Sequence, residues 1–197
     1  MTSARAKTKE DKQLKHQLII DAAEQLFKQQ HQLTTVATIA KTSEQAKGTV
    51  YLYFSSKETI YLSLLKQHYQ IWFDQLNQTI SQSHSLAEIL TCFVSYPVKS
   101  DVFFYLASLS SSTLEPASDK EFKQQYYDWY NQAFDELAQL IVQQFPVLNN
   151  QQSLSLLNDS HAQLLGLWQQ QTRLPDTSFE VNAKAALARL WKGYFSK

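Results

Sequence analysis

The chain has 197 residues, 44% of them apolar and 13% aromatic, enough for a substantial core in one domain or two small ones. Its 18 basic and 18 acidic side chains cancel, and no run of about 18 apolar residues offers a membrane span. The single cysteine, Cys92, excludes an internal disulfide, and the N-terminal MTSARAKTKEDKQLKHQ lacks the apolar stretch of a secretory signal, so a cytoplasmic location is expected.

The balance of charge is uneven along the chain. Residues 1–57 carry nine Lys or Arg (Arg5, Lys7, Lys9, Lys12, Lys15, Lys28, Lys41, Lys47, Lys57) against Glu10, Asp11, Asp21, Glu24 and Glu44, a net +4 that leaves −4 for the rest. A basic head on an acidic body suits a polyanion at that end. Three glycines, four prolines and long runs without β-branched residues predict an all-α protein.

In chain order, a frayed arm leads to helix 1 over about 12–30, with Ile19, Ala22, Ala23, Leu26 and Phe27 as one apolar stripe. Short helices follow at about 35–42 and 46–52, then a long one at about 56–82 through Tyr61, Leu64, Leu65, His68 and Trp72. Later helices are expected near 86–96, 101–112, 119–145, 150–171 and 177–195, about nine in total. Four capping boxes mark their starts: Ser55-x-x-Glu58, Ser85-x-x-Glu88, Ser118-x-x-Glu121 and Thr177-x-x-Glu180. Pro97 and Pro146 are expected to end the helices before them, and STLEPASD reads as the clearest loop. Three short helices with a tight second connection, walled by the fourth, describe a helix-turn-helix unit followed by a C-terminal helical bundle.

The stretch TTVATIAKTSEQAKGTVYLYFSSKETIYLSLL carries the most specific pattern. Thr34, Thr35, Ile39, Ala40, Lys47, Gly48, Thr49, Val50, Tyr51, Tyr53, Phe54, Lys57 and Glu58, with IIDAAEQLF before them, resemble the DNA-binding domain of the TetR family of bacterial transcriptional regulators. The resemblance covers about residues 15–66. It implies a DNA-binding domain at 1–56 and a ligand-binding and dimerisation domain at 57–197. The candidate DNA contacts are Thr35, Gln45, Ala46, Lys47, Gly48, Thr49, Tyr51, Tyr53 and Lys57.

The chemistry of those positions agrees with that assignment. Thr35 caps the second helix and can hold a phosphate with its free amides. Lys47 and Thr49 lie in the first turn of helix 3, within reach of base edges or phosphates. Gly48 lets backbone approach closely, and the tyrosine hydroxyls suit phosphate oxygens. Lys57 opposes its own helix dipole, which a phosphate would offset. Val50 and Phe54 form the core face. Two positions depart from the family: Glu44 stands where a turn glycine is usual, and Ala46 where a hydroxyl residue caps helix 3. Leu52 replaces a common histidine, and an apolar residue there either touches a thymine methyl or lies idle.

For the remainder, the resemblance implies an effector pocket in the aromatic middle, with candidates Trp72, Phe93, Tyr96, Phe103, Phe104, Tyr126, Tyr127 and Tyr130. The same aromatics at helical spacing also read as ordinary core. Few charges interrupt them, so an apolar or aromatic effector is expected. The resemblance further implies a homodimer through the last two helices, with Leu157, His161, Leu164, Leu165, Trp168, Ala183, Leu187, Leu190 and Trp191 as candidates and a palindromic operator. His68, Cys92 and His161 have no metal-ligand spacing, and no catalytic motif is present, so neither cofactor nor enzymatic activity is expected. The expected function is a nucleoid-associated transcriptional regulator, a repressor released by its effector; a DNA-organising or protein-interaction factor without a switch is the alternative.

Overall fold

With so few helix breakers, the chain forms long helices joined by short corners. The computed structural model describes residues 2–100, 102–171 and 178–196, with side chains from Lys9 onward. The helices are α1 (Thr2–Gln30), α2 (Val36–Thr42), α3 (Lys47–Tyr51), α4 (Lys57–Gln82), α5 (Leu86–Lys99), α6 (Phe103–Leu109), the single turn α7 (Glu115–Ala117), α8 (Lys120–Gln144), α9 (Asn150–Gln171) and α10 (Phe179–Phe195). The architecture is all-α, with no strand among the described residues.

The chain divides into two compact units. The first comprises residues 1–67 and 108–124, the second residues 68–107 and 125–197. In the first unit α1 packs on α2 and α2 on α3. Ile19, Ala23, Phe27, Ile39, Val50, Phe54 and Tyr61 are buried there. Tyr61 also fixes the entry to α2, because its hydroxyl accepts from the Thr34 amide at 3.1 Å. In the second unit α10 packs on α5 and α9. Trp191 is fully buried there and its indole N–H donates to Ser160 Oγ at 3.0 Å.

Several expectations are corrected. The arm before residue 12 is helical, since α1 begins at Thr2. Pro97 does not stop α5, which runs on to Lys99. Proline removes the amide that would bond the carbonyl four residues earlier, and that carbonyl, Phe93 O, instead accepts from Trp72 Nε1 at 3.1 Å. STLEPASD is not an open loop: Ser110–Leu114 form a wide π-turn that passes directly into α7.

The caps shift as well. Ser56 rather than Ser55 caps α4, accepting from the Thr59 amide at 3.1 Å. Asp119 rather than Ser118 caps α8, through the Phe122 amide at 2.8 Å. Ser85 does cap α5, at 3.4 Å from the Glu88 amide. The Glu88 carboxylate bonds Ser83 Oγ, and Ser83 Oγ in turn accepts from the Ser85 amide. Thr177 lies outside the described residues, and Ser178 occupies the N-cap position of α10.

Candidate nucleic-acid interface

The corner between α2 and α3 decides what α3 can present. Gln45 N donates to Ala40 O at 2.9 Å and Glu44 N to Lys41 O at 3.2 Å. This crossed pair is a Schellman C-cap, which needs a left-handed residue at its centre. Glu44 supplies it with φ 55°, so the corner keeps its usual geometry without glycine and bears the strain of a Cβ there. Gln45 Nε2 donates to Ser43 O and Ser43 Oγ to Ala40 O. Both side chains serve the end of α2. Ala46 therefore leaves the start of α3 without a side-chain cap.

The outward face of α3 then follows. Val50 and Phe54 are buried and anchor it. Ala46, Lys47 and Gly48 are exposed and Thr49 is half-buried. A Cβ on Gly48 would meet no atom within 4 Å, so this glycine is not needed for packing inside the chain. Lys47 Nζ lies 5.9 Å from the Tyr51 ring centroid, a cation–π contact that steers the ammonium over an exposed ring. Leu52 is 84% exposed at the tip. Tyr53 is half-buried, edge-on to His16 with centroids 6.3 Å apart.

Flanking positions complete the surface. Thr35 is an exposed N-cap whose Oγ1 accepts from the Thr38 amide at 3.2 Å. Lys57 Nζ lies 3.8 Å from Glu58 Oε1, a loose pair between two half-buried residues. The nine candidate contacts thus fall within 35–57, at the N-cap of α2, in the corner before α3, on α3, in the connection after it and at the start of α4. One residue that sequence reasoning did not single out, His16 on α1, stacks on Phe54 at 4.6 Å. Only tertiary packing brings the two together.

In the second unit the aromatic candidates form a ring-on-ring network. Trp72, Phe93 and Phe103 are buried, with Trp72 centroids 5.8 Å from Phe93 and 5.4 Å from Phe103. Phe104 lies 5.2 Å from Phe103 and Tyr96 5.6 Å from it. Tyr126 is buried beside Tyr130 at 6.1 Å, whereas Tyr127 is 36% exposed. His68, Cys92 and His161 hydrogen-bond to Tyr96, Thr79 and Tyr69 respectively. Of the candidates on α9 and α10, Leu157, Leu164, Ala183, Leu187 and Trp191 are buried inside the chain. His161, Leu165, Trp168 and Leu190 keep part of their surface open.

The chain matches two known families. Residues 19–64 match bacterial regulatory proteins of the tetR family, and residues 66–192 match the tetracyclin repressor-like C-terminal domain. Among curated relatives, the fatty acid metabolism regulator protein of Bacillus subtilis (strain 168) is 35% identical over 86 residues, which is 43% of this chain and 44% of that protein. The uncharacterized HTH-type regulator YuxN of the same organism is 41% identical over 63 residues, 32% of this chain and 22% of that one. The matched stretches thus span less than half of those relatives.

Solved structures with the same fold include the fatty acid degradation regulator FadR of Bacillus halodurans (TM-score 0.63, 20% identical, 89% of this chain and 94% of that one). FadR of Bacillus subtilis in complex with stearoyl-CoA is similar too (TM-score 0.62, 21% identical, 88% and 96% covered).

Proposed function

The chain belongs to the tetR family of bacterial regulatory proteins and is a DNA-binding transcriptional regulator, and from that premise we propose a ligand-released repressor that binds a palindromic operator as a homodimer in the bacterial cytoplasm. Residues 1–56 read DNA, and residues 57–197 bind the effector and dimerise. The observation that carries the reading is the Schellman corner presenting Lys47, Gly48, Thr49 and Tyr51 outward from a buried Val50 and Phe54. Two such units must meet successive major grooves about 34–36 Å apart.

Support for dimerisation comes from the outer faces of α9 and α10. Leu165 and Trp168 stay half-open, Val181 is 65% exposed, and Ala185 and Ala188 are exposed beside it. A Cβ on Gly166 would meet nothing within 4 Å inside the chain, which leaves room for a second helix.

For the effector we favour a long acyl chain carried as a coenzyme A thioester. One relative is a fatty acid metabolism regulator, and a protein of the same fold is solved with stearoyl-CoA. The apolar, aromatic second unit suits such a chain. Its rings touch one another in this conformation, so a ligand must select a conformer in which they part. That same packing favours the second reading, a regulator without a small-molecule switch.

Binding to the DNA upstream of the chain's own gene tests the first step: affinity should fall steeply with salt, and a Lys47→Ala, Tyr53→Phe double variant should lose most of it. Undiminished affinity in that variant overturns the assigned contacts. Stearoyl-CoA should then release the DNA and change tryptophan fluorescence. An unchanged complex through an acyl-CoA length series selects the switchless reading.

A further inference from the structure

An open groove of about 590 Å³ runs along α1 beside the reading surface, lined by Lys12, Gln13, His16, Gln17 and Tyr53. Tyr53 belongs both to this groove and to the face presented by α3. We infer that the groove is a second phosphate-binding site, in which Lys12 and Gln13, with Lys9 one turn earlier, hold the DNA backbone outside the bases read by α3. This rests on the DNA-binding reading and extends it to a helix that reading leaves unused.

Helical geometry sets the charge of the groove. Lys9, Lys12, Gln13 and His16 fall on one face of α1 at spacings of three and four. The positions three or four residues from Lys12 are Thr8, Lys9, Lys15 and His16, none of them acidic. Asp11, one residue from Lys12, faces elsewhere, whereas Glu10 lies three residues from Gln13 and borders the groove on its Gln17 side, away from Lys12. Lys9, Lys12 and Gln13 are exposed. On the flank, Gln17 is held by Asp21 at 2.7 Å and by Gln67 at 2.8 Å, which fixes that wall of the groove.

His16 has a different task. Burial lowers its pKa, so the positive charge here comes from the lysines. Its ring stacks on Phe54 at 4.6 Å and meets the edge of Tyr53. It is a positioning residue that ties the α1 groove to the segment carrying Tyr51 and Tyr53. A phosphate in the groove would accept from Lys12 Nζ, Gln13 Nε2 and the Tyr53 hydroxyl. Such bonds position the duplex without reading its sequence.

The test measures salt dependence for the full chain on two duplexes, one from the DNA upstream of its own gene and one of random sequence. A Lys9→Ala, Lys12→Ala double variant should reduce the slope of log affinity against log salt by about 1 for each phosphate that is no longer neutralised. It should weaken both duplexes by the same factor, leaving their ratio unchanged. Lys28→Ala, which removes a lysine paired with Glu24 and sixteen residues beyond Lys12 along α1, should leave the slope as in the wild type. His16→Phe should retain affinity and His16→Ala should lose it.

A wild-type slope in the lysine double variant, with affinity still reduced in Lys47→Ala, overturns the second site and leaves the DNA-binding reading intact. An equal reduction in Lys28→Ala makes the effect one of net charge and overturns the site as well. If the wild type binds neither duplex, both fail.

Discussion

Ser55 Oγ donates to Asp119 Oδ2 at 2.9 Å, tying the residue after Phe54 to the cap of α8. The other carboxylate oxygen accepts from the Phe122 amide, so one side chain both starts a helix and latches it to the segment that follows α3. Ser56 Oγ adds a second tie, donating to Ala117 O at 3.2 Å. Asp119→Ala should destabilise the protein by about 1 kcal/mol through removal of the cap, and Ser55→Ala by about half as much. In a double-mutant cycle by urea unfolding, a coupling of about 0.5 kcal/mol is expected; strict additivity would show that the latch has no net worth. The Phe122 amide, then the Ser55 hydroxyl, hold the Asp119 carboxyl below its ordinary pKa. This contribution is therefore present above the unfolded carboxylate pKa and fades as pH falls through the lowered folded one.

Glu44 is strained by its φ of 55° and places a negative charge beside the surface proposed to meet DNA. Glu44→Gly should raise stability by about 1 kcal/mol, because relief of the left-handed penalty outweighs the added freedom of the unfolded chain. It should also tighten DNA binding, more at low salt than at high. Glu44→Ala separates the two effects, since it removes the charge and keeps the strain. Thermal unfolding and DNA titration at two ionic strengths read them out; a Gly variant no more stable than the Ala variant would contradict the strain.

Most helices were legible from apolar spacing, because the stripe of α1 and the Val50/Phe54 pair obey a period no other element shares. The caps were legible only to within a residue. At Ser55/Ser56 and at Ser118/Asp119 two adjacent side chains can both accept from the helix. Tertiary bonds decide between them: Ser55 is engaged by Asp119, and Ser118 donates to Leu114 O at 2.8 Å. The exposed side of the reading surface followed from sequence, since Val50 and Phe54 can face only inward. His16 did not, because a stack on a residue 38 positions away leaves no mark in local spacing. In the aromatic middle, spacing places rings on common faces but is the same for a filled core and for pocket walls.

Trp72 and Pro97 illustrate a compensation across distance. Pro97 supplies no amide to Phe93 O, and the Trp72 indole fills that place at 3.1 Å. Trp72→Phe should therefore cost about 2 kcal/mol, combining the smaller ring with a buried carbonyl left short of a donor. In a Pro97→Ala background the restored backbone amide can serve Phe93 O, and the same substitution should cost about 1 kcal/mol less. Chemical denaturation of the four proteins of this cycle measures the difference. Equal costs in both backgrounds would mean that the indole contributes by packing alone.

His161 sets an acid limit on the second unit. Its Nε2 lies 2.8 Å from the Tyr69 hydroxyl, with the Tyr69 and Trp72 rings at 5.6 and 5.9 Å. Desolvation among these rings lowers its pKa from the usual 6.5 to about 4, so the folded protein holds the imidazole mainly neutral through the upper part of the interval between them. The unfolded chain takes up a proton below pH 6.5 that the folded one refuses. Stability is thus full above the unfolded pKa and lost as pH falls towards the folded one, by up to about 1.4 kcal/mol per pH unit. His161→Gln keeps a polar partner for Tyr69 and removes the titration. Its unfolding free energy should fall less between pH 6.5 and 4.5 than that of the wild type. Parallel pH profiles for the two proteins would show that the folded imidazole ionises freely.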